Sequence, residues 1–260
     1  MNYIIFDLEF NQGSNSIRED TNLKNSECPF EIIQIGALKL DENFHTISTL
    51  DKLIKPKIYN QLHPVVKNLT GITIDQLNSA QPFDEVYKEF VEFIKNDRSI
   101  LCVWGTVDIK ELLRNISYHQ LSLSPIPKEY INIQSYASKY LNCPKGTTIG
   151  LRNTVELLNI TLKQEFHNAF NDAYYTSEIF KKLYNENMES KIYTHDHHKR
   201  RNRHNKKNQK VDTYHLIQQF EKMFDRKITT EEKSIIKLAY MMGKTNQFQI
   251  EISDNKFQEQ

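Results

Sequence analysis

The chain has 260 residues and a formal net charge of +1, and 38% of its residues are hydrophobic. This length permits one domain of ordinary size and a smaller extra piece, and no stretch approaches the roughly 20 apolar residues of a membrane span. The first residues lack the basic flank of a secretory signal, and the three scattered cysteines argue against a disulfide framework or a zinc site, so we expect a cytoplasmic protein without a membrane partner.

The first predicted strand, residues 3–10, is an apolar and aromatic run that contains Asp7 and Glu9. Side chains two positions apart in a strand lie on the same face of the sheet, so these two carboxylates should be neighbours. Like charges at the end of a buried strand repel each other and lose hydration, and a divalent cation would offset both effects. The alternative interpretation is a strand that ends in a solvated loop.

A polar segment, residues 13–29, predicts a long loop after this strand, and such loops are often functional or disordered. Two further strands are predicted at 31–40 and 48–54. Helical spacing of apolar residues predicts a helix over 83–94. A fourth strand follows from residue 99, and it leads into Asp108 where helical character begins, although an aspartate at a helix start is common for capping alone.

A short strand at 130–133 that leads into a helix, followed by two closing helices, completes this part of the chain. Strands interleaved with helices predict an α/β sheet with helices on its faces. The last of these helices should run to about Tyr184, with His167 in the turn before it and Asp172 on its first turns. A single histidine beside a helix start is more often a hydrogen-bonded structural residue than a base, so its role depends on its neighbours.

These segments resemble the DEDDh 3′-to-5′ exonucleases, which share the ribonuclease H-like fold. The resemblance covers about residues 3–186 and is nearest to the KapD-like and Eri-like branch. Phe170 and Val107 are minor departures from the family pattern. The motifs that carry the resemblance are Asp7-x-Glu9, Glu31 to Ala37, Leu69 to Thr73, Trp104 to Asp108, and His167-x-x-x-x-Asp172-Ala173.

The resemblance implies a mixed sheet with helices on both faces and a site that binds two divalent ions, Mg²⁺ or Mn²⁺. It assigns Asp7 as the ligand shared by both ions, Glu9, Asp108 and Asp172 as further ligands, and His167 as the general base. An unperturbed imidazole titrates near pH 6.5, which suits a base that acts around neutrality. The implied reaction is hydrolysis of phosphodiester bonds by two-metal-ion catalysis.

The expected partner is the 3′ end of a single-stranded nucleic acid, with RNA favoured over DNA. Phe10 could stack on the terminal base, although a core position is equally consistent with its sequence context. Thr70, Gly71 and Ile72 could line the pocket for the 3′ end, or Gly71 could simply be a turn glycine. The alternatives are a DNA proofreading or repair exonuclease, and a catalytically silent nucleic-acid-binding protein on the same fold.

Composition changes sharply over residues 191–210, which contain eight Lys or Arg residues and a single acidic residue, Asp196. We therefore predict an exonuclease domain over 1–187, a basic and flexible linker over 188–211, and a helical hairpin with a polar tail over 212–260. Dense positive charge indicates attraction to nucleic acid that weakens steeply with salt.

In the last segment, apolar residues at helical spacing predict one helix over 212–224, and a capping box that begins at Thr229 predicts a second. Two helices of this length make too small a core to stand alone comfortably. We expect them to pack on the nuclease, to pair with a second copy, or to dock a partner.

Overall fold

The computed structural model describes residues 1–12, 28–95, 98–144, 146–185, 188–193, 213–224 and 226–244. The chain forms two compact units, Met1–His197 and His198–Gln260, and each unit is described by itself. The predicted loop over 13–29 and the predicted basic linker lie largely outside the described residues.

The first unit is built on one mixed sheet of seven strands, counted over the described residues, in the order β4-β3-β2-β1-β5-β6-β7. β1, β2 and β3 form antiparallel pairs, whereas β5 lies parallel to β1 and β6 lies parallel to β5. The strands are β1 (Asn2–Gln12), β2 (Phe30–Leu40), β3 (Thr46–Lys55), β4 (Gln81–Pro82), β5 (Ser99–Val103), β6 (Glu129–Asn132) and β7 (Lys191–Ile192).

Seven helices accompany these strands in the described part of the first unit. They are α1 (Pro64–Thr70), α2 (Ile74–Asn78), α3 (Phe83–Ile94), α4 (Val107–Tyr118), α5 (Ile133–Tyr140), α6 (Leu151–Leu157) and α7 (Ala169–Leu183). The helix predicted over 83–94 coincides with α3, and the strands predicted at 31–40 and 48–54 coincide closely with β2 and β3.

Alternate residues of β1 point into two different hydrophobic clusters, one on each face of the sheet. Ile4, Phe6 and Leu8 pack in the first cluster with apolar residues of α3 and α4. Tyr3 and Ile5 pack in the second cluster with residues of α5, α6 and α7. Because strand side chains alternate between faces, this division confirms the predicted sheet with helices on both sides.

Buried polar groups anchor the start of β2, which lies beside the end of β1. The Glu31 carboxylate accepts backbone hydrogen bonds from Lys57, Ile58 and Tyr59. The Asn115 side chain on α4 accepts from the Ile32 N–H at 3.1 Å and donates to the Phe30 carbonyl oxygen at 2.9 Å. Helix α4, which carries Asp108 near its start, is therefore fixed to the middle of the sheet.

Helix α4 runs from Val107 to Tyr118, so Asp108, where helical character was predicted to begin, is its second residue. By contrast, the chain stays with the sheet beyond the predicted boundary at residue 187, because Met188 is buried and β7 pairs antiparallel with β6. The described start of the predicted linker is thus part of the first unit.

The second unit contains α8 (Thr213–Phe224) and α9 (Thr230–Lys244) among its described residues. The predicted capping box is confirmed, since Thr229 Oγ1 accepts from the Glu232 N–H and the Glu232 carboxylate accepts from the Thr229 N–H. Ile217 and Ile228 are buried, and the docking role of these helices stays a prediction. Across the described residues we find no helix with the length and apolar character that a membrane span requires.

Candidate active site

Asp7 and Glu9 lie on the face of the sheet that α7 covers. They continue the alternation of Tyr3 and Ile5, which pack against α7 in the second cluster. Each of the two carboxylate residues remains partly exposed, whereas the intervening Leu8 is buried on the opposite face. The predicted pairing of the two carboxylates on one face is therefore confirmed.

Helix α7 brings Asp172 to the same place. Its N-cap, Asn168, accepts backbone hydrogen bonds from Phe170 and Asn171, which fixes where the helix begins. His167 lies just before this cap with a φ of 66°, and its N–H donates to Asp172 Oδ2 at 3.2 Å. The predicted arrangement, with His167 in the turn and Asp172 on the first turns, is confirmed.

Gly36 on β2 allows α7 to approach the sheet closely. A Cβ atom at this position would lie 2.1 Å from the Phe170 nitrogen and 2.2 Å from the Ala169 carbonyl carbon. Gly36 is also the residue of β2 that pairs with Asp7. The absence of a side chain at Gly36 therefore lets the helix that carries Asp172 reach the strand that carries Asp7.

Gln34, two residues earlier on β2, fixes the position of the helix start. Its side-chain amide donates to Asp51 Oδ1 at 2.8 Å, and its Oε1 atom accepts from the Ala169 N–H at 3.2 Å. Sequence reasoning placed Gln34 and Gly36 only within a strand. A polar residue and a glycine inside an otherwise apolar strand were the signals of a close approach by another backbone.

The three carboxylates form a compact group. One ligand oxygen from each of Asp7, Glu9 and Asp172 lies within 4.8 Å of the other two. Asp108 does not belong to this group of three, but it is buried and its charge raises the pKa of both Asp7 and Glu9. The structure thus brings three of the four predicted ligands together and places the fourth within electrostatic reach.

A divalent cation fits this donor set. Asp172 Oδ1 is buried and has no hydrogen-bond partner among the described residues, which is unusual for a carboxylate oxygen. Carboxylate oxygens are the ligands that Mg²⁺ and Mn²⁺ prefer. The three carboxylates therefore provide the negative charge and the oxygen ligands that a divalent cation requires. One of these oxygens, Asp172 Oδ1, has no other partner among the described residues.

Burial raises the pKa of every carboxylate in the site, and repulsion by neighbouring carboxylates adds to the rise for Asp7, Glu9 and Asp108. Burial followed by the charges of Asp108, Asp172 and Glu9 raises the pKa of Asp7 well above its ordinary value. Burial and the charges of Asp172 and Asp108 raise the pKa of Glu9 to about 8. Burial raises the pKa of Asp108 to about 7 and that of Asp172 to about 6. Without a cation, the site holds protons at neutral pH that free carboxyl groups would release.

The direction of these shifts predicts how the stability of the metal-free protein depends on pH. A carboxyl group with a raised pKa binds more protons in the folded protein than in the unfolded chain, so the free energy of unfolding falls as pH rises. The window runs from the ordinary carboxyl pKa of about 4 to the Glu9 pKa of about 8. We expect urea midpoints measured with a chelator to fall across this window.

Added Mn²⁺ should raise these midpoints more at about pH 8 than at about pH 5, because cation binding requires deprotonated ligands. The Asp7→Asn protein, which lacks one of the carboxyl groups with a raised pKa, should show a weaker pH dependence. A wild-type midpoint that rises with pH in chelator would contradict the assignment of these shifts.

The predicted substrate contacts occupy different environments. Phe10 packs against the first cluster, on the face of the sheet opposite Asp7 and Glu9, and its ring lies edge-on to Phe30 at 6.2 Å. It remains partly exposed, so the proposed contact with a base stays a prediction.

The segment Thr70, Gly71 and Ile72 ends α1 and leads into α2. Gly71 has a φ of 69° and its N–H donates to the Lys67 carbonyl oxygen, which is the geometry of a helix C-cap. Among the described residues, no atom lies within 4 Å of the position that a Gly71 Cβ would occupy, whereas Ile72 is buried. The turn role of Gly71 is thus present in the fold, and the 3′-end contact stays a prediction.

Comparison with known proteins shows the family to which this chain belongs. Residues 4–180 match the family model described as Exonuclease (RNase_T). This chain belongs to that exonuclease family. The exonuclease region is 26% identical to human 3′-5′ exoribonuclease 1 over 176 residues, which is 64% of this chain and 50% of that protein. It is 27% identical to the PolC-type DNA polymerase III of Streptococcus sanguinis over 177 residues, or 68% of this chain and 11% of that protein.

Solved structures show that the fold of the exonuclease region is shared. The nuclease domain of 3′hExo, a DEDDh family member bound to rAMP, aligns with a TM-score of 0.61 and 22% identity over 74% of this chain and 96% of that one. Cell-death related nuclease 4 aligns with a TM-score of 0.57 and 18% identity over 74% of this chain and 65% of that one. These findings confirm the predicted DEDDh resemblance and the ribonuclease H-like fold. The chain spans about half the length of the exoribonucleases that it matches.

Proposed function

We propose that this chain is a metal-dependent 3′-to-5′ exonuclease that shortens single-stranded RNA from its 3′ end. The observation that carries the proposal is the meeting of Asp7, Glu9 and Asp172 oxygens within 4.8 Å of one another. Two of these residues lie on the first strand and the third on the last helix of the first unit, so the fold rather than local sequence brings them together. Membership of the exonuclease family supports the reaction class.

We assign the binding of two divalent ions, Mg²⁺ or Mn²⁺, to Asp7, Glu9, Asp172 and Asp108. When bound, such ions polarise the phosphodiester and stabilise the charge that develops on the leaving oxygen. The protein supplies ligands that are already held in place: Asp7 and Glu9 by the pairing of β1 with β2, and Asp172 by its bond from the His167 N–H. Deprotonation of these raised-pKa groups accompanies ion binding.

His167 is suited to remove the proton from the attacking water. Its side chain is exposed, whereas its backbone N–H is bonded to Asp172. The imidazole can therefore reach solvent at the edge of the three-carboxylate cluster. The left-handed backbone at this position turns the chain sharply before α7, and histidine tolerates that conformation better than most residues. General-base catalysis by such a group typically contributes about 10²- to 10⁴-fold to the rate.

Replacement of His167 by asparagine tests this role. Asparagine also tolerates a positive φ, so the turn should be kept while the base is lost. We expect kcat to fall by about 10²- to 10⁴-fold with little change in the affinity for a single-stranded oligonucleotide in Ca²⁺.

His45→Asn is the matched control, because His45 is an exposed histidine in the turn between β2 and β3, at the other end of the sheet. If the His167 variant lost affinity and rate equally, a structural histidine would be the better assignment.

RNA is the favoured substrate because the relatives with similarity over most of the exonuclease region include the 3′-5′ exoribonucleases of human, rat and mouse. A proofreading or repair exonuclease for DNA is the second candidate, because the PolC-type polymerase matches with comparable identity. Both activities use the same acidic site, and the difference lies in contacts to the 2′-hydroxyl.

Digestion of matched single-stranded RNA and DNA oligonucleotides with Mn²⁺ separates these candidates. We expect 5′-labelled RNA to be shortened stepwise from its 3′ end, DNA to be shortened more slowly, and EDTA to stop both reactions. A 3′-phosphate should slow the first step, because an exonuclease of this polarity begins at the 3′ terminus. Absence of metal-dependent shortening of either strand would refute the proposed function.

One further assignment extends this proposal. The basic residues between 191 and 210 would attract the phosphates of the substrate strand, although most of them lie outside the described residues. The domain boundary at 212 and the cytoplasmic location stay predictions.

A further inference from the structure

Arg152 is an exposed cation held beside the active site by an aromatic ring. It lies in the first turn of α6, and its guanidinium carbon is 4.6 Å from the centre of the Phe166 ring. This distance is within the range of a cation–π interaction, which restricts the side chain without neutralising its charge. Arg152 is therefore positioned while its hydrogen-bond donors remain available.

The ring beneath Arg152 is itself well fixed. Phe166 stacks on Tyr175 of α7 with a centroid distance of 4.7 Å. The Tyr175 hydroxyl donates to the Gln164 carbonyl oxygen at 2.6 Å and accepts from the Lys163 and Gln164 N–H groups. Phe166 directly precedes His167 in the sequence, so the guanidinium packs on the neighbour of the residue assigned as the base.

Arg152 is linked to the carboxylates through the turn before α7. His167 follows the ring on which the guanidinium packs, and the His167 N–H donates to Asp172 Oδ2 at 3.2 Å. The guanidinium forms no ion pair with Asp172 among the contacts of the described residues.

Two other arginines of the described chain are paired with carboxylates. Arg114 is paired with the buried Glu111 at 2.7 Å, and Arg226 is paired with Glu232 at 2.6 Å. Within the described residues, Arg152 has no carboxylate at ion-pair distance, although four carboxylates lie in the nearby site. A planar guanidinium with free donors matches the oxygens of a phosphate group.

We propose that Arg152 binds a phosphate group of the substrate strand at the edge of the cluster formed by the Asp7, Glu9 and Asp172 carboxylates. This inference rests on the proposed function, because it assumes that a nucleic acid occupies the site. A strand that enters a site with these three carboxylates and the nearby Asp108 is repelled until cations bind, and a positive charge fixed at the rim reduces that repulsion. Arg152 is thus a substrate-binding residue that accompanies the carboxylates and His167.

The test compares Arg152→Gln, Arg152→Lys and Arg98→Gln in steady-state hydrolysis of a 5′-labelled single-stranded RNA with Mn²⁺. Arg98 is the matched control: it is an exposed arginine directly before β5, whereas Asp108 follows the other end of that strand. We expect Arg152→Gln to raise KM about 10-fold with little change in kcat, because a charge-assisted hydrogen bond to phosphate is lost. Arg152→Lys should recover part of this loss.

Salt dependence provides a second readout that a purely structural role would not change. Loss of one phosphate contact to a single strand should reduce the slope of log KM against log salt concentration by about 0.7. A wild-type KM and slope in Arg152→Gln, or changes equal to those of Arg98→Gln, would overturn the inference. Those results would leave the proposed function intact provided that the wild-type protein hydrolyses the RNA, whereas an inactive wild-type protein would refute the proposed function itself.

Discussion

The Asp7→Asn protein should lose hydrolysis of single-stranded RNA by at least about 1000-fold while remaining folded. Asp7 lies close to the other carboxylates, and burial together with the charges of Asp108, Asp172 and Glu9 raises its pKa well above the ordinary value. Replacement by the isosteric amide removes one anionic ligand and leaves the shape of β1 unchanged. The loss of activity should therefore come from loss of the cations and not from loss of the fold.

Stability separates this explanation from simple misfolding. In the wild-type protein without cations, the carboxylates repel one another and are poorly hydrated, and Asp7→Asn relieves part of that repulsion. We expect the melting temperature of the variant in EDTA to equal or exceed that of the wild type, and Mn²⁺ to raise it less than it raises that of the wild type. Isothermal titration with Mn²⁺ should show weakened binding.

Glu92→Gln is the matched control for Asp7→Asn, because Glu92 is a carboxylate on the exposed side of α3, where it pairs with Lys95 at 3.3 Å. This control should keep wild-type hydrolysis and wild-type Mn²⁺ stabilisation. Full Mn²⁺-dependent activity in Asp7→Asn would show that the cluster of Asp7, Glu9 and Asp172 is not the catalytic site.

Gly36→Ala should destabilise the protein by about 3 kcal/mol and abolish Mn²⁺ binding. A methyl group at this position would lie 2.1 Å from the Phe170 nitrogen, which is far inside van der Waals contact. The clash involves backbone atoms of α7, so no side-chain rotation relieves it. Either α7 moves away from β2 and carries Asp172 with it, or the strand distorts where it pairs with Asp7.

Urea unfolding and Mn²⁺ titration of Gly36→Ala measure the two consequences separately. Gly150→Ala is the control, because a Cβ atom at Gly150 meets no atom of the described residues within 4 Å and its φ is −76°, which any residue adopts. The control should cost less than about 1 kcal/mol as a change at a helix N-cap. Wild-type stability and metal binding in Gly36→Ala would contradict the close contact between α7 and β2.

Much of this architecture could be predicted because local sequence carries it. The alternation of Tyr3, Ile5, Asp7 and Glu9 predicts the face on which the carboxylates lie, and the hydrophobic clusters agree with it. Helix α3 was predicted by apolar spacing, and α9 by the capping box at its start. These features depend on neighbours within a few residues, so the sequence specifies them directly.

Tertiary geometry was harder to predict. The pairing register of β1 with β2 shifts between Glu9 and Phe10, so that Ile33 packs with Val66 and Ile72 instead of joining the first cluster. No local pattern predicts such an irregularity, because it depends on how two distant segments align.

The arrangement of the site depends on the same kind of long-range contact. The depth at which α7 approaches β2, set by Gly36 and Gln34, results from packing between residues far apart in the chain. Asp108 was assigned as an equal member of the ligand set, yet the oxygens that meet within 4.8 Å are those of Asp7, Glu9 and Asp172. Distances of this kind follow from the assembled sheet and helices, which sequence motifs alone do not specify.

The location of Asp172 on α7 also has a consequence during translation. Asp7 and Glu9 leave the ribosome with the first strand of this unit, but the third member of their group follows only with its final long helix. Domains generally fold as units, so an unfinished chain lacks the complete ligand set however long it waits. Under the proposed activity on RNA, this order of synthesis keeps each nascent copy harmless to the messenger from which it is being made.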